Sequence, residues 1–118
     1  MIPATQAALS GLQAYSLKTQ ATANNVANLE TDGFKRDVVT LSSQVPQGVT
    51  TNVSKDISAS ALLPEMTSTG EEEMVEQSNV DLAQEMVDLI TEKHGYSANI
   101  KTLQTADAMT KNVIDLKA

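Results

Sequence analysis

The sequence contains no cysteine and no tryptophan. Without thiols, a disulfide framework, a zinc finger and thiol catalysis are all excluded. Aromatic residues make up only 3% of the chain: Tyr15, Phe34 and Tyr96. A chain of 118 residues has room for one small domain, and such a domain ordinarily buries several large rings. This one has to pack Ala, Leu, Val, Ile and Met, which suits helix-on-helix contact better than a sandwich or a barrel. Basic residues are also scarce: 8 Lys and Arg against 15 Asp and Glu leave a net charge of −7. That balance argues against nucleic acid as a partner. A single histidine, His94, cannot build a multi-histidine metal centre. No apolar run approaches the roughly 20 residues that cross a bilayer. No basic stretch precedes an apolar block, and Lys18 is the first charged side chain. The expectation is a protein that is not membrane-spanning, and that is either cytoplasmic or exported without a cleaved signal peptide.

The charge that is present is unevenly placed. Residues 1–29 carry Lys18 alone, whereas residues 61–118 hold 11 acids against four lysines. Three segments follow from this shift and from the residue patterns: 1–33, 34–77 and 78–118. Residues 3–29 read as a helix, with Pro3 in its first turn. Leu9, Leu12, Val26 and Leu29 form one stripe, and Tyr15, Thr19 and Ala23 fill the gaps at three- and four-residue steps. The stripe is thin, because Ala and Thr dominate and Asn24, Asn25 and Asn28 are poor helix formers. Gly33 is a plausible terminator. Residues 38–41 and 49–53 are short β-branched runs around a turn at 45–48, the pattern of a small hairpin. Glu71–Glu73 reads as a solvated acidic linker, with a short helical turn as the alternative.

Residues 79–117 give the strongest pattern in the chain. Ser78 and Asp81 fit a capping box. Acids crowd the first turns, and Lys111 and Lys117 fall in the last ones, as the helix dipole favours. The apolar positions are Leu82, Met86, Leu89, Ile90, Tyr96, Ile100, Leu103, Ala106, Met109, Val113 and Leu116. Their three- and four-residue steps make a coiled-coil-like seam, in which Leu82, Leu89, Tyr96 and Leu103 recur every seven residues. Gly95 costs such a helix roughly 1 kcal/mol against Ala, so either a close neighbouring backbone, the preferred reading, or a hinge is expected there. The predicted fold is mainly α: two long terminal helices packed as an antiparallel coiled coil and joined by a short β-hairpin or extended middle. Packing these two helices together leaves apolar surface over, which points to identical neighbours.

Nothing in the sequence reads as chemistry. The pairs Asp81/Glu85 and Asp88/Glu92 have helical spacing, but the first helix has no acid before Glu30 to complete a carboxylate metal site. The five glycines are scattered, so no phosphate-binding loop exists. The expectation is a protein that is not an enzyme and takes no cofactor.

Two stretches carry a resemblance. Residues 23–36, Ala-Asn-Asn-Val-Ala-Asn-Leu-Glu-Thr-Asp-Gly-Phe-Lys-Arg, resemble the N-terminal signature of bacterial flagellar rod and hook proteins. Residues 8–15 are similar to the segment that precedes it. Ser78-Asn79-Val80-Asp81-Leu82, followed by Tyr96-Ser97-Ala98-Asn99 and a closing helix, resembles the family's C-terminal signature. The motif residues are Asn24, Asn25, Asn28, Gly33, Phe34, Ser78, Asn79, Asp81 and Asn99. The resemblance implies an axial-tube subunit, unfolded during type III export without a cleaved signal. It would assemble with copies of itself and with other rod or hook proteins. The implied location is the periplasm-spanning rod of the basal body. The short middle segment favours a small proximal-rod type. The alternatives are a shortened hook-type protein, or a helical export or assembly adaptor with the same termini.

Overall fold

The computed structural model describes residues 2–117, and the side chains of residues 3–116. Helix α1 spans Ile2–Ala27 and α2 spans Leu82–Lys117. Between them lie strands β1 (Asp37–Ser43), β2 (Val49–Lys55), β3 (Leu62–Met66) and β4 (Glu72–Glu76). The molecule is mainly helical, with a small β region of two antiparallel hairpins, β1–β2 and β3–β4. Its radius of gyration is 21.0 Å and its longest dimension 81 Å. A compact chain of this length would have a radius of gyration near roughly 13 Å, so this is a rod.

Helix α1 ends where its asparagines begin to bond locally. Asn28 Nδ2 donates to the Asn24 carbonyl at 2.9 Å, and Thr31 Oγ1 donates to Asn28 Oδ1 at 3.2 Å. These side-chain bonds offer the backbone an alternative to the helix. Gly33 then takes a positive φ of 65° and donates its N–H to the Glu76 carbonyl at 2.7 Å.

The start of α2 corrects the expected capping box. The helix opens at Leu82, and Asp81 Oδ1 accepts the N–H groups of Ala83 (2.9 Å) and Gln84 (3.4 Å). Asp81 is therefore the cap. Ser78 lies outside the helix, and its Oγ accepts the Val80 N–H at 3.3 Å. Lys117, expected in the last turn, has its side chain outside the described residues.

The first hairpin is longer than its β-branched runs. Its register pairs Asp37 with Lys55, Val39 with Val53 and Ser43 with Val49. The second hairpin was not anticipated. Its register runs from Leu62 with Glu76 to Met66 with Glu72. Glu72 and Glu73 are thus strand, neither linker nor helical turn. All of β3 and most of β4 are exposed, so no buried face imposes the alternation by which a strand is recognised.

The two helices lie side by side, and their contacts step in opposite directions. Gly11 meets Asn99, Tyr15 meets Gly95, Lys18 meets Glu92 and Asn25 meets Glu85. The buried apolar residues are small: Ala8, Ala14, Val39 and Ala106. An alanine methyl contributes about 0.8 kcal/mol on burial, against a backbone ordering cost of about 1–2 kcal/mol per residue. Little large apolar side-chain area is therefore buried between the helices.

Candidate functional site: the helix-pair seam and its clasps

The face of α2 that meets α1 is not the leucine stripe. It is built on Glu85, Glu92, Asn99 and Ala106, again spaced by seven but displaced three residues from Leu82, Leu89, Tyr96 and Leu103. Glu85 and Glu92 are buried, Glu92 completely. Of the apolar seam positions expected from sequence, only Ala106 is fully buried.

Small residues make this arrangement possible. A β-carbon at position 11 would sit 2.8 Å from Asn99 Nδ2, and one at position 95 would sit 2.6 Å from Tyr15 Cε1. Each helix therefore offers a glycine notch to a side chain of the other, four residues from the residue it inserts in return. Gly95 is explained by a close approach, but of an aromatic ring and not of a backbone.

Polar groups fill the rest of the contact. Glu92 Oε1 accepts Thr22 Oγ1–H at 3.0 Å and lies 3.8 Å from Lys18 Nζ. Glu85 Oε1 accepts from Asn25 Nδ2 at 3.2 Å and lies 3.7 Å from Arg36 Nη1. Glu92 Oε2 and Arg36 Nε are buried with no hydrogen-bond partner among the described residues. Burying charges on these terms adds little net stability, while removing one partner strands the other. Such a contact fixes register more than it adds to stability.

Two asparagines, Asn25 on α1 and Asn79 in the segment before α2, clasp the base of the first hairpin. Asn25 Oδ1 accepts the Asp37 N–H at 2.7 Å, and its Nδ2 donates to the Asp37 carbonyl at 2.9 Å. Asn79 Oδ1 accepts the Arg36 N–H at 2.7 Å, and its Nδ2 donates to the Asp56 carbonyl at 2.8 Å. Each amide thus satisfies backbone groups that a neighbouring strand would otherwise pair. Asn24 Nδ2 adds a bond to Asp37 Oδ2 at 3.1 Å. Phe34 accepts the Asn79 N–H through its carbonyl (3.3 Å), and its ring lies 5.3 Å from Lys55 Nζ. Ser10 Oγ, at the other end of the hairpin, accepts the Val49 N–H at 3.1 Å.

The electrostatics of the clasps are consistent. The Lys55 ammonium bonded to Asp37, reinforced by Asn24, holds that carboxyl below its ordinary value despite partial burial. Glu76 is lowered by its bond from Lys35 at 2.6 Å and by the Ser60 N–H. Asp56 is lowered by the Ser58 N–H.

The expected apolar positions fall on open surface. Leu9, Leu82, Met86, Ile90, Tyr96, Met109, Val113 and Leu116 are exposed, and Leu12, Tyr15, Val26, Leu29, Leu89, Ile100 and Leu103 are partly so. Leu89, Ile90, Tyr96 and Ile100 gather with Ser16, Thr19 and Gln20 along an open groove of about 770 Å³ between the helices. A second groove, lined by Leu9, Leu12 and Tyr96, adjoins it. Among the described residues, no group of three or more acids and histidines is placed to hold a metal, and no helix is long and apolar enough to cross a membrane. Sequence reading missed Glu85 and Glu92 as contact residues. Their signal was their own seven-residue spacing, set against Lys18 and Arg36.

The two helices fold on each other, and the hairpins lie between them in sequence. Known proteins match the segments that carry these helices. Residues 6–35 match the flagella basal body rod protein family, and residues 71–116 match the flagellar basal body rod FlgEFG protein C-terminal family. Together these cover about two thirds of the chain. The flagellar hook protein FlgE of Borreliella burgdorferi is 39% identical over 44 residues, which are 37% of this chain and 10% of that protein. The flagellar hook protein FlgE of Treponema pallidum is 44% identical over 43 residues, 36% of this chain and 9% of that protein. The chain spans about a tenth of the length of these curated relatives. It belongs to the flagellar rod and hook family.

Proposed function

We propose that this chain is a structural subunit of the flagellar axial tube, of the basal-body rod type. In this reading its terminal helices assemble, by coiled-coil packing, with copies of itself and with related rod or hook subunits. It acts as a scaffold and not as a catalyst, reaches the periplasm-spanning rod through the flagellar export apparatus, and has no signal peptide removed on the way. One observation carries the reading: rod-family segments lie at both ends of the chain in family order, on helices whose large apolar side chains face outward. Those side chains lose solvent only against neighbours. The asparagine motif residues then brace the hairpin and leave the apolar positions open for assembly.

Quantifying the protein in purified basal bodies tests this. Several copies per structure, retained after the hook is sheared off, are expected. Absence from basal bodies would contradict it. A second reading, a shortened hook-type subunit, is favoured by the fact that both curated relatives are hook proteins. Loss of the protein together with the sheared hooks would support that reading over the rod.

A further inference from the structure

The second hairpin is an arm tied down only at its base. Among the described residues, neither β3 nor β4 packs on a helix or on the first hairpin. The ties are the Gly33 N–H to the Glu76 carbonyl at 2.7 Å, Lys35 Nζ to Glu76 Oε1 at 2.6 Å and Ser60 Oγ to the Ser78 carbonyl at 2.8 Å. The bonds that bracket the hairpin fix which of its backbone groups face outward. The Gln77 N–H donates to the Ala61 carbonyl and the Thr67 N–H to the Glu71 carbonyl, both at 2.9 Å. In an antiparallel ladder, such bonded pairs alternate with pairs whose N–H and C=O point away from the partner strand. Counting along the register from either end puts Leu62, Pro64 and Met66 outward on β3, and Glu72, Met74 and Glu76 outward on β4. The two edges are not equivalent. Pro64, in the middle of the β3 edge, has no N–H for an incoming strand. On β4 the Glu76 carbonyl already accepts the Gly33 N–H, and Glu72 and Met74 continue that edge, exposed and beside no third strand.

The side chains say what that edge accepts. Residues 61–77 hold five glutamates and no basic residue. Glu76 is paired with Lys35, whereas Glu65, Glu71, Glu72 and Glu73 are exposed and have no ion-pair partner among the described residues. Glu65 stands directly across the register from Glu73, a like-charge pair that works against the bare hairpin. The other face of the hairpin sets Pro64 against Met74, with Leu62 and Met66 beside them, all exposed. A strand laid along β4 would present its side chains to these two faces alternately. Cations suit the Glu65/Glu73 face, and apolar groups suit the Pro64/Met74 face. The chain's own strands do not offer this. Lys35, Arg36 and Lys55, the basic residues between the helices, are already paired with Glu76, Glu85 and Asp37, and β4 of a second copy would bring glutamates against glutamates.

We propose that the outer edge of β4, through the backbone of Glu72 and Met74, takes up an extended segment of a different protein as a third strand. In that segment lysine or arginine alternates with apolar residues. Main-chain bonds to the edge hold the strand, and the two faces of the hairpin select its sequence.

The test titrates a capped peptide of alternating lysine and valine into the full chain and follows amide exchange by NMR. The Glu72 and Met74 amides should gain protection, and the peptide should bind about tenfold or more tightly than its glutamate–valine counterpart. Met74→Pro keeps the net charge and removes an outward N–H, but none of the bonds that join β4 to β3. It should weaken binding by about tenfold or more, as a proline on an edge does. The Thr67 and Gln77 amides report whether that variant still forms its hairpin. If they lose protection, the double change Glu65→Lys and Glu73→Lys replaces it, and the preference should pass to the glutamate–valine peptide. Equal binding of the two peptides, undiminished binding to a folded Met74→Pro chain, a charge-reversed chain that still prefers the lysine peptide, or protection confined to the helices and the first hairpin would each overturn the proposal. None of these outcomes bears on whether the protein is found in basal bodies, so the axial reading stands or falls separately.

Discussion

Asn25 joins α1 to both β1 and α2. It bonds to both backbone groups of Asp37 and to the buried carboxylate of Glu85. Asn25→Ala removes all three bonds and leaves Glu85 and the Asp37 N–H without them, at about 1–3 kcal/mol for each stranded group. Urea denaturation should show that loss, and the Asp37 amide should exchange rapidly. At position 95, Ala gains roughly 1 kcal/mol of helix propensity but drives a methyl into the Tyr15 ring, an overpacking cost of about 1–3 kcal/mol. Gly95→Ala should therefore be net destabilising, and the added Tyr15→Leu change should recover part of the loss in a double-mutant cycle. Gly95 was legible in the sequence as a close approach. Glu85 and Glu92 were not, because a carboxylate on a helix ordinarily marks the solvent face. Only the tertiary partners Thr22, Lys18, Asn25 and Arg36 make burial tolerable for them.

At the scale of elements, both helices and the first hairpin could be read from periodicity and β-branched runs. The face by which the helices meet could not, since hydrophobicity picks the leucine stripe while contact goes to the smaller and polar residues that let the axes come close. The second hairpin was hidden because Pro64 and the glutamates weaken every strand signal and no face of it is buried. The cap also moved, from Ser78 to Asp81. Asp81→Ala should cost about 1 kcal/mol and fray the first turn of α2, whereas Ser78→Ala should leave that turn unchanged; amide exchange at Ala83 and Gln84 reads both. The hairpin clasps carry a pH dependence. Asp37, Asp56 and Glu76 are all lowered from ordinary values of 3.8, 3.8 and 4.5. They therefore bind protons more weakly in the folded chain than in the unfolded one. Their stabilisation is complete above those ordinary values and is lost as pH falls through the depressed folded ones. Acid titration followed through the β1–β2 amide resonances should show the transition below pH 3.8–4.5, and Glu76→Gln should remove part of it.

The whole molecule is an 81 Å rod with a thin core and a polar seam. Its large apolar side chains lie outside, and the family segments lie at its two ends. In the proposed axial role this helix pair is incomplete alone and becomes rigid when neighbours cover Leu89, Tyr96 and Ile100. Family membership was legible from the two terminal motifs. The exposed apolar surface was legible from the surplus of apolar positions over what an alanine-rich partner helix can cover. Hydrogen–deuterium exchange of the dilute chain, compared with the same chain concentrated into oligomers, tests the claim most directly. Weak protection across α1 and α2 is expected in the dilute sample, and strong protection, concentrated around residues 89–100, on assembly. Equal, strong protection of both helices in a dilute monomer would contradict it.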